Sequence, residues 1–462
     1  MPGLSRTADR QPGLSCTHER RQDRIAALVL AVPFLVMVAV LRGMTVALPI
    51  FHGTDEFVYH YPTILRFSRE LPFPDLHAYG AAQTPLFHLL MAYVGKAIGY
   101  QLWRLRLVEV LISYLLALAV YGLLTRRLAM DSPQATILAL LFALSPYVFG
   151  QSFRLVTDNL ALLFSVLALD RFEASRQNRA LGPFLAGCAL VGAAMLTRQS
   201  TAFMLALAGL YALGGGVEPT PVDRGVALGA IVLCAVPVGL LFLNWHGLIP
   251  VGGDPASCGL CARHGASGIS TRGLELQTTE LALASIGLYG AILFAPLLLG
   301  RPLGELTAQL RGPLIGAALG AALLLVFPAT PGPHAAGDIW KIAAKLPAID
   351  GTSALLWVLV PLAGAVLWIR LPRGPQPWPA AVLAATFLVS TVAISYPWQK
   401  YTDPFALLIL MLTVRPRELT TRRGLAGVAV LALLFIAYTA DFSSHRPVPH
   451  ATPTARSATL RR

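Results

Sequence analysis

Residues 84–99 read TPLFHLLMAYVGKAIG, and the placement of this stretch decides the fold. It is apolar enough to be taken for a membrane span. If it crossed, every later loop would change sides, and Arg126-Arg127 would face outward. Loops rich in Lys and Arg stay on the cytoplasmic side. The stretch is therefore expected to be a helix lying in the outer interface, inside one long loop from about 48 to 103. Pro72, Pro74 and Pro85 break that loop into short elements.

Working outward, the rest of the chain is almost all membrane. Of its 462 residues 55% are hydrophobic and only 13% charged, with mean hydropathy +0.64. A soluble domain carries roughly 25% charged residues. Apolar runs recur at 25–47, 104–125, 134–150, 159–170, 181–196, 199–214, 225–245, 279–300, 312–328, 352–371, 379–395, 403–414 and 424–440. The expected fold is all-α: a polytopic membrane protein of about 13 spans with a long first outer loop. The expected organisation is a basic cytoplasmic tail (1–24), a membrane domain (25–440) and a disordered C-terminal tail (441–462).

Charge sets the orientation. The net charge of +13 comes from 32 Arg and 4 Lys. With the basic tail inside, alternate loops carry Arg126-Arg127; Arg171, Arg176 and Arg179; Arg224; Arg301 and Arg311; Arg370 and Arg373; and Arg415, Arg417, Arg422 and Arg423. The charge bias places all of these on the cytoplasmic side. Only Arg461 and Arg462 fall on the wrong side. The same bias accounts for the basic balance without nucleic acid, because no polar domain interleaves bases with aromatics. The apolar run after the tail is too long for a signal-peptide core and reads as an uncleaved anchor.

The opposite loops hold the candidate chemistry. Asp55-Glu56 follows the first span in HGTDEFVYHY (52–61), and Asp158 follows a later one in VTDN (156–159). Carboxylates near a bilayer are costly and mark functional sites by default. A carboxylate within hydrogen-bond reach of a hydroxyl can remove its proton. The competing explanation for Asp158 is a helix N-cap. Arg198, in TRQS (197–200), suits bidentate phosphate recognition; a snorkelling arginine is the simpler account. Lys400, in YPWQKY (396–401), is a second phosphate candidate, or the anchor of an aromatic belt. Arg154 is a weaker third. Tyr59, His60, His88, Gln199, Trp398 and Tyr401 are candidate substrate contacts, the histidines equally structural ones. A divalent metal on Asp55 and Asp158 is left open. Cys258 and Cys261 form a CxxC near His264, which reads as a local disulfide or two free thiols.

These features resemble the GT-C glycosyltransferases, polytopic enzymes that use polyprenyl-phosphate-linked sugars. The resemblance is sharpest over about 45–205. An acid pair soon after the first helix is matched by Asp55-Glu56. A proline-led interfacial helix is matched by TPLFH (84–88), and a later acid by Asp158. The acid pair, Pro85-Leu86 and RQST (198–201) are also similar to the dolichyl-phosphate-glucose α-1,2-glucosyltransferase family. The Arg- and Ala-rich composition is that of a high-G+C bacterial gene, so no eukaryotic substrate is carried over. The resemblance implies an inverting transfer on the outer face of the cell membrane. The donor is a polyprenyl-phosphate sugar and the acceptor a hydroxyl on a lipid, glycan or protein. Asp55 is then the base, Glu56 its partner, and Arg198 and Lys400 the donor-phosphate ligands. Such enzymes often carry a soluble C-terminal domain; with the chain ending at Arg462, acceptor specificity is expected in the loops. Ligation of a whole glycan uses the same parts. The alternative is a transporter or lipid-linked glycan flippase, which predicts acids and bases inside the spans. Paired interrupted helices of an inverted repeat are not seen.

Overall fold

The computed structural model describes residues 12–41, 55–214, 221–252, 276–299, 311–329, 337–374, 377–392 and 398–444. Each of the thirteen apolar runs falls on a helix. The first half contains α1 (Pro12–Val40), α2 (Tyr61–Glu70), α3 (Leu86–Ile98), α4 (Leu102–Leu128), α5 (Ser132–Ala143), α6 (Pro146–Gln151), α7 (Asp158–Asn178), α8 (Leu181–Thr197), α9 (Phe203–Leu213) and α10 (Pro221–Trp245). The second contains α11 (Gln277–Leu298), α12 (Arg311–Val326), α13 (Asp338–Ala343), α14 (Ala354–Arg370), α15 (Pro377–Thr391), α16 (Gln399–Thr413) and α17 (Arg422–Ser444). A two-stranded ribbon, β1 (Ala348–Ile349) and β2 (Thr352–Ser353), precedes α14. The protein is an all-α polytopic membrane protein. Among the described residues, five helices (α1, α4, α10, α11 and α17) are long and apolar enough to cross a membrane by themselves. Several others have 10–17 residues and are apolar.

Three boundaries differ from the apolar runs. The run 134–150 is two helices, because Pro146 cannot donate a backbone N–H and starts a new helix after Ser145. The run 159–170 extends to Asn178, since its polar second half is buried and paired: Asp170 and Glu173 are 0% and 1% exposed. Residues 12–24, expected as tail, already belong to α1. The CxxC segment and residues 445–462 lie outside the described residues.

Packing follows membrane rules. α10 buries little of its length and turns Leu233 and Leu243 outward, as a lipid-facing helix must. α12 and α14 cross closely at Gly316 and Gly364; a Cβ on either would strike the other's carbonyl. Here the absence of a side chain lets two backbones touch.

Contacts sort the loops into two groups. Tyr121 donates to Asp23 (2.6 Å) and can accept from Ser132 (2.9 Å), and Arg127 donates to Asp170 (3.0 Å). These join the start of α1, the α4–α5 turn and the far end of α7. Arg370 forks onto Glu418 (2.7 and 2.5 Å), joining the ends of α14 and α16. The second group, built from the intervening loops, forms the candidate site. Alternation of this kind is what a chain crossing from side to side requires.

Candidate active site

The site starts at a π-helical turn, Asp55–His60, that leads into α2. Wide turns of this kind are often found at functional sites. Its two acids point apart. Glu56 is 2% exposed. It accepts a fork from Arg106 on α4 (Nε 2.9 Å, Nη2 2.5 Å) and the Leu155 N–H at 3.0 Å. Every direction it offers is taken by protein. Asp55 faces the other way and accepts from Lys400 Nζ at 3.3 Å. The side chains of this pair are 31% and 18% exposed. The expectation that Glu56 works beside Asp55 on substrate is thus corrected: Glu56 anchors the turn to α4 and to the loop before α7.

Asp158 is the first residue of α7, and its carboxylate meets Arg198 Nη1 at 3.0 Å. The helix start has no side-chain cap, so Asp158 is engaged by Arg198 rather than in capping. Arg198 sits where α8 ends and a 3₁₀ turn (Gln199–Ala202) begins. It also donates to Thr157 Oγ1 (3.1 Å) and Ser200 Oγ (3.2 Å), and its guanidinium lies 4.5 Å from the Tyr401 ring centre. Burial alone would depress its pKa; Asp158, Tyr401 and Asp55 together outweigh this and hold it above the usual value. Lys400 lies 4.5 Å from the Trp398 ring centre and 5.2 Å from that of Tyr401, and the two rings stack. Two acids, two cations and two aromatic rings from four distant segments therefore meet.

Beside them opens a narrow cleft. Asp158, Arg198, Lys400 and Tyr401 line its polar side; Leu162, Phe203, Phe387 and Phe405 line its apolar side. Aromatic contacts join Phe203, Phe387 and Phe405 into one wall.

Other candidates are placed elsewhere. His60 and His88 are 4% and 0% exposed, share a 2.9 Å hydrogen bond and stack. Burial, then Arg198 and Lys400, push the His60 pKa down to about 3, so its ring is neutral. Both rings pack against each other in the interior. Gln199 donates to the carbonyls of Ala82 (2.7 Å) and Leu248 (3.3 Å) and accepts the Thr84 N–H (3.3 Å). It ties α8 to the long loop, not to a substrate. Arg154 is 4% exposed beneath the acid pair; burial pulls its pKa to about 10, opposed by Glu56. It does not line the cleft. Tyr59 is half-buried on the Asp55 turn. Asp55 and Asp158 each face a cation, and among the described residues no three metal-ligating side chains converge. This donor set does not fit a resident metal.

Sequence reasoning missed Arg106, which reads as one more interfacial arginine. It also missed the aromatic wall, whose residues look like ordinary span.

Residues 82–242 match the family described as dolichyl-phosphate-mannose-protein mannosyltransferase. The GT-C resemblance holds. The matched segment contains Asp158 and Arg198 but not Asp55, Glu56 or Lys400. No curated protein matches the chain in sequence. Among solved structures, the apo oligosaccharyltransferase of Archaeoglobus fulgidus is similar at 15% identity and TM-score 0.48, covering 92% of this chain and 55% of that one. The chain thus spans about half the length of that protein. Apo ArnT from Cupriavidus metallidurans is similar at 14% identity and TM-score 0.37, covering 85% and 78%.

Proposed function

We propose that the chain transfers a sugar from a polyprenyl-phosphate-linked donor to a hydroxyl of a lipid, glycan or protein on the outer face of the membrane. One observation carries this reading: Arg198 and Lys400 stand at the polar side of a cleft whose other side is an aromatic, apolar wall. A lipid phosphate has the matching division of character. Guanidinium and ammonium groups hold phosphate by charge-assisted hydrogen bonds. The isoprenoid would lie toward Leu162, Phe203, Phe387 and Phe405. Asp55, beside Lys400, serves as base. It takes the acceptor hydroxyl proton as the new O–C1 bond forms. The C1–O bond to phosphate breaks and its electron pair leaves with the phosphate. One base and one leaving group suffice for a single displacement with inversion.

The test is sugar transfer by the full chain in lipid nanodiscs, offered a panel of polyprenyl-phosphate sugars. Turnover with one donor, abolished in Asp55→Asn at equal folding, is the expected result. Retained anomeric configuration would exclude the single displacement. Turnover that survives in Asp55→Asn would exclude this base.

A transport reading has its own observation. Glu109 on α4 and Glu280 on α11 are 0% and 1% exposed, and their carboxyl oxygens lack hydrogen-bond partners. Buried acids inside spans are typical of pathways. Neither lines the cleft. Solute or lipid movement in proteoliposomes without sugar transfer would favour transport.

A further inference from the structure

Lys400 and Arg198 stand at the cleft with their charges already met by carboxylates, at 3.3 Å from Asp55 and 3.0 Å from Asp158. The two cations are held differently. Arg198 is fixed by Thr157, Ser200 and the face of Tyr401 as well as by Asp158. Lys400 has Asp55 as its acid partner and otherwise rests over aromatic faces. Those faces position an ammonium without taking its hydrogen bonds. Its long flexible stem carries a point charge that can re-aim, whereas the arginine fork is rigid. The Asp55–Lys400 pair is also partly open, at 31% and 18% exposure. Exchange of one anion for another on a partly exposed lysine costs little. In turn Lys400 holds Asp55 through its Oδ2.

From this geometry we propose that Asp55 occupies the place of the donor phosphate on Lys400, so that a phosphate binds by displacing Asp55 and thereby frees it to face the acceptor. The proposal rests on the polyprenyl-phosphate reading above and adds an order to it: donor first, acceptor second. Arg198 stays in place throughout, and Lys400 is the cation that changes partner. No bond is made or broken in the exchange. The gain is protection, since the base is engaged until a donor is present.

The test is a titration of farnesyl phosphate into the full chain in nanodiscs of zwitterionic lipid, with farnesol and inorganic phosphate as comparison ligands. Thermal unfolding of each variant establishes folding. Asp55→Asn removes the competing carboxylate, so it is expected to bind farnesyl phosphate about three- to tenfold tighter than wild type, although it would be dead in transfer. Lys400→Gln is expected to bind it about tenfold weaker. In the double variant most of the gain from Asp55→Asn should vanish, because Lys400 is the cation that Asp55 contacts directly. Asp55→Ser repeats the test should Asn fail to fold. Equal or weaker binding by the folded Asp55 variant would overturn the proposal. So would a gain that persists without Lys400, which would be a general charge effect. Wild type that binds farnesol as tightly as farnesyl phosphate would instead remove the phosphate reading. Inorganic phosphate competing as well as farnesyl phosphate would assign the site to free phosphate and remove the lipid donor.

Discussion

The two ends of the helix bundle both pair acids with bases, yet they are built for different purposes. At one end Asp170 is fully buried and receives Arg127 and Arg171, with Arg126 3.5 Å away. Glu173, 1% exposed, takes Arg176 and the Tyr211 hydroxyl. Glu418 takes a fork from Arg370. These acids are surrounded by donors and have no direction left for a ligand. At the other end Asp55 and Asp158 each keep one cation and remain 31% and 18% exposed beside a cleft. Saturation makes a clamp between helix ends; partial satisfaction beside a cavity makes a site. Glu56 shows both habits in one turn, since it is saturated while its neighbour Asp55 is not.

The sharpest way to break this contrast is a pair of substitutions. Asp55→Asn should cut sugar transfer about 10²–10⁴-fold, the range for loss of a general base. It should shift stability by no more than about 1 kcal/mol, because the ion pair is partly exposed. Asp170→Ala should do the reverse. It removes the carboxylate that holds Arg127, the least exposed of its partners at 14%, and should cost roughly 1–3 kcal/mol, with turnover per folded molecule retained. Unfolding curves and transfer rates on the same nanodisc samples check both. Stability loss in the first, or activity loss without unfolding in the second, would erase the distinction between the ends.

A smaller effect concerns acid. His60 is neutral when folded, with its pKa pushed from 6.5 to about 3 by burial and by Arg198 and Lys400. Between those values the unfolded chain binds a proton that the folded chain refuses. Stability is therefore complete above pH 6.5 and falls as pH drops toward 3, by up to about 1.4 kcal/mol per pH unit. Unfolding temperatures from pH 7 to 4.5 should fall more steeply in wild type than in His60→Asn; parallel curves would contradict the buried neutral pair. Next, Gly364→Val should lose about 1–3 kcal/mol by forcing α12 and α14 apart, without touching the cleft. Smallest of all, Trp398→Ala should weaken the placement of Lys400 by about 0.5–1 kcal/mol, read as a few-fold drop in transfer at unchanged unfolding temperature.

Hydrophobic runs made the helices legible, because a span announces itself by length and composition. What they could not show was where polar residues would interrupt or extend a helix, as at Ser145-Pro146 and along Asp170–Asn178. The site was half legible. Acids and bases at the loop ends were visible as costly residues near a bilayer, and Asp55, Asp158, Arg198 and Lys400 do meet. His60, His88, Gln199 and Glu56 are held by protein partners instead. Whether a polar side chain serves substrate or scaffold depends on which partners reach it, and those come from far along the chain: Arg106 for Glu56, Ala82 and Leu248 for Gln199.

The sequence by itself determined that this is a many-helix membrane protein and which loops share a side, because burial of apolar length and the placement of arginine are local and additive. Only the tertiary structure decided which acids stay open. The Asp55–Lys400 contact joins residues 345 positions apart, and no local pattern specifies a pairing over that distance. It exists because the helices between them pack in one arrangement that brings Asp55 to Lys400 at the edge of the cleft.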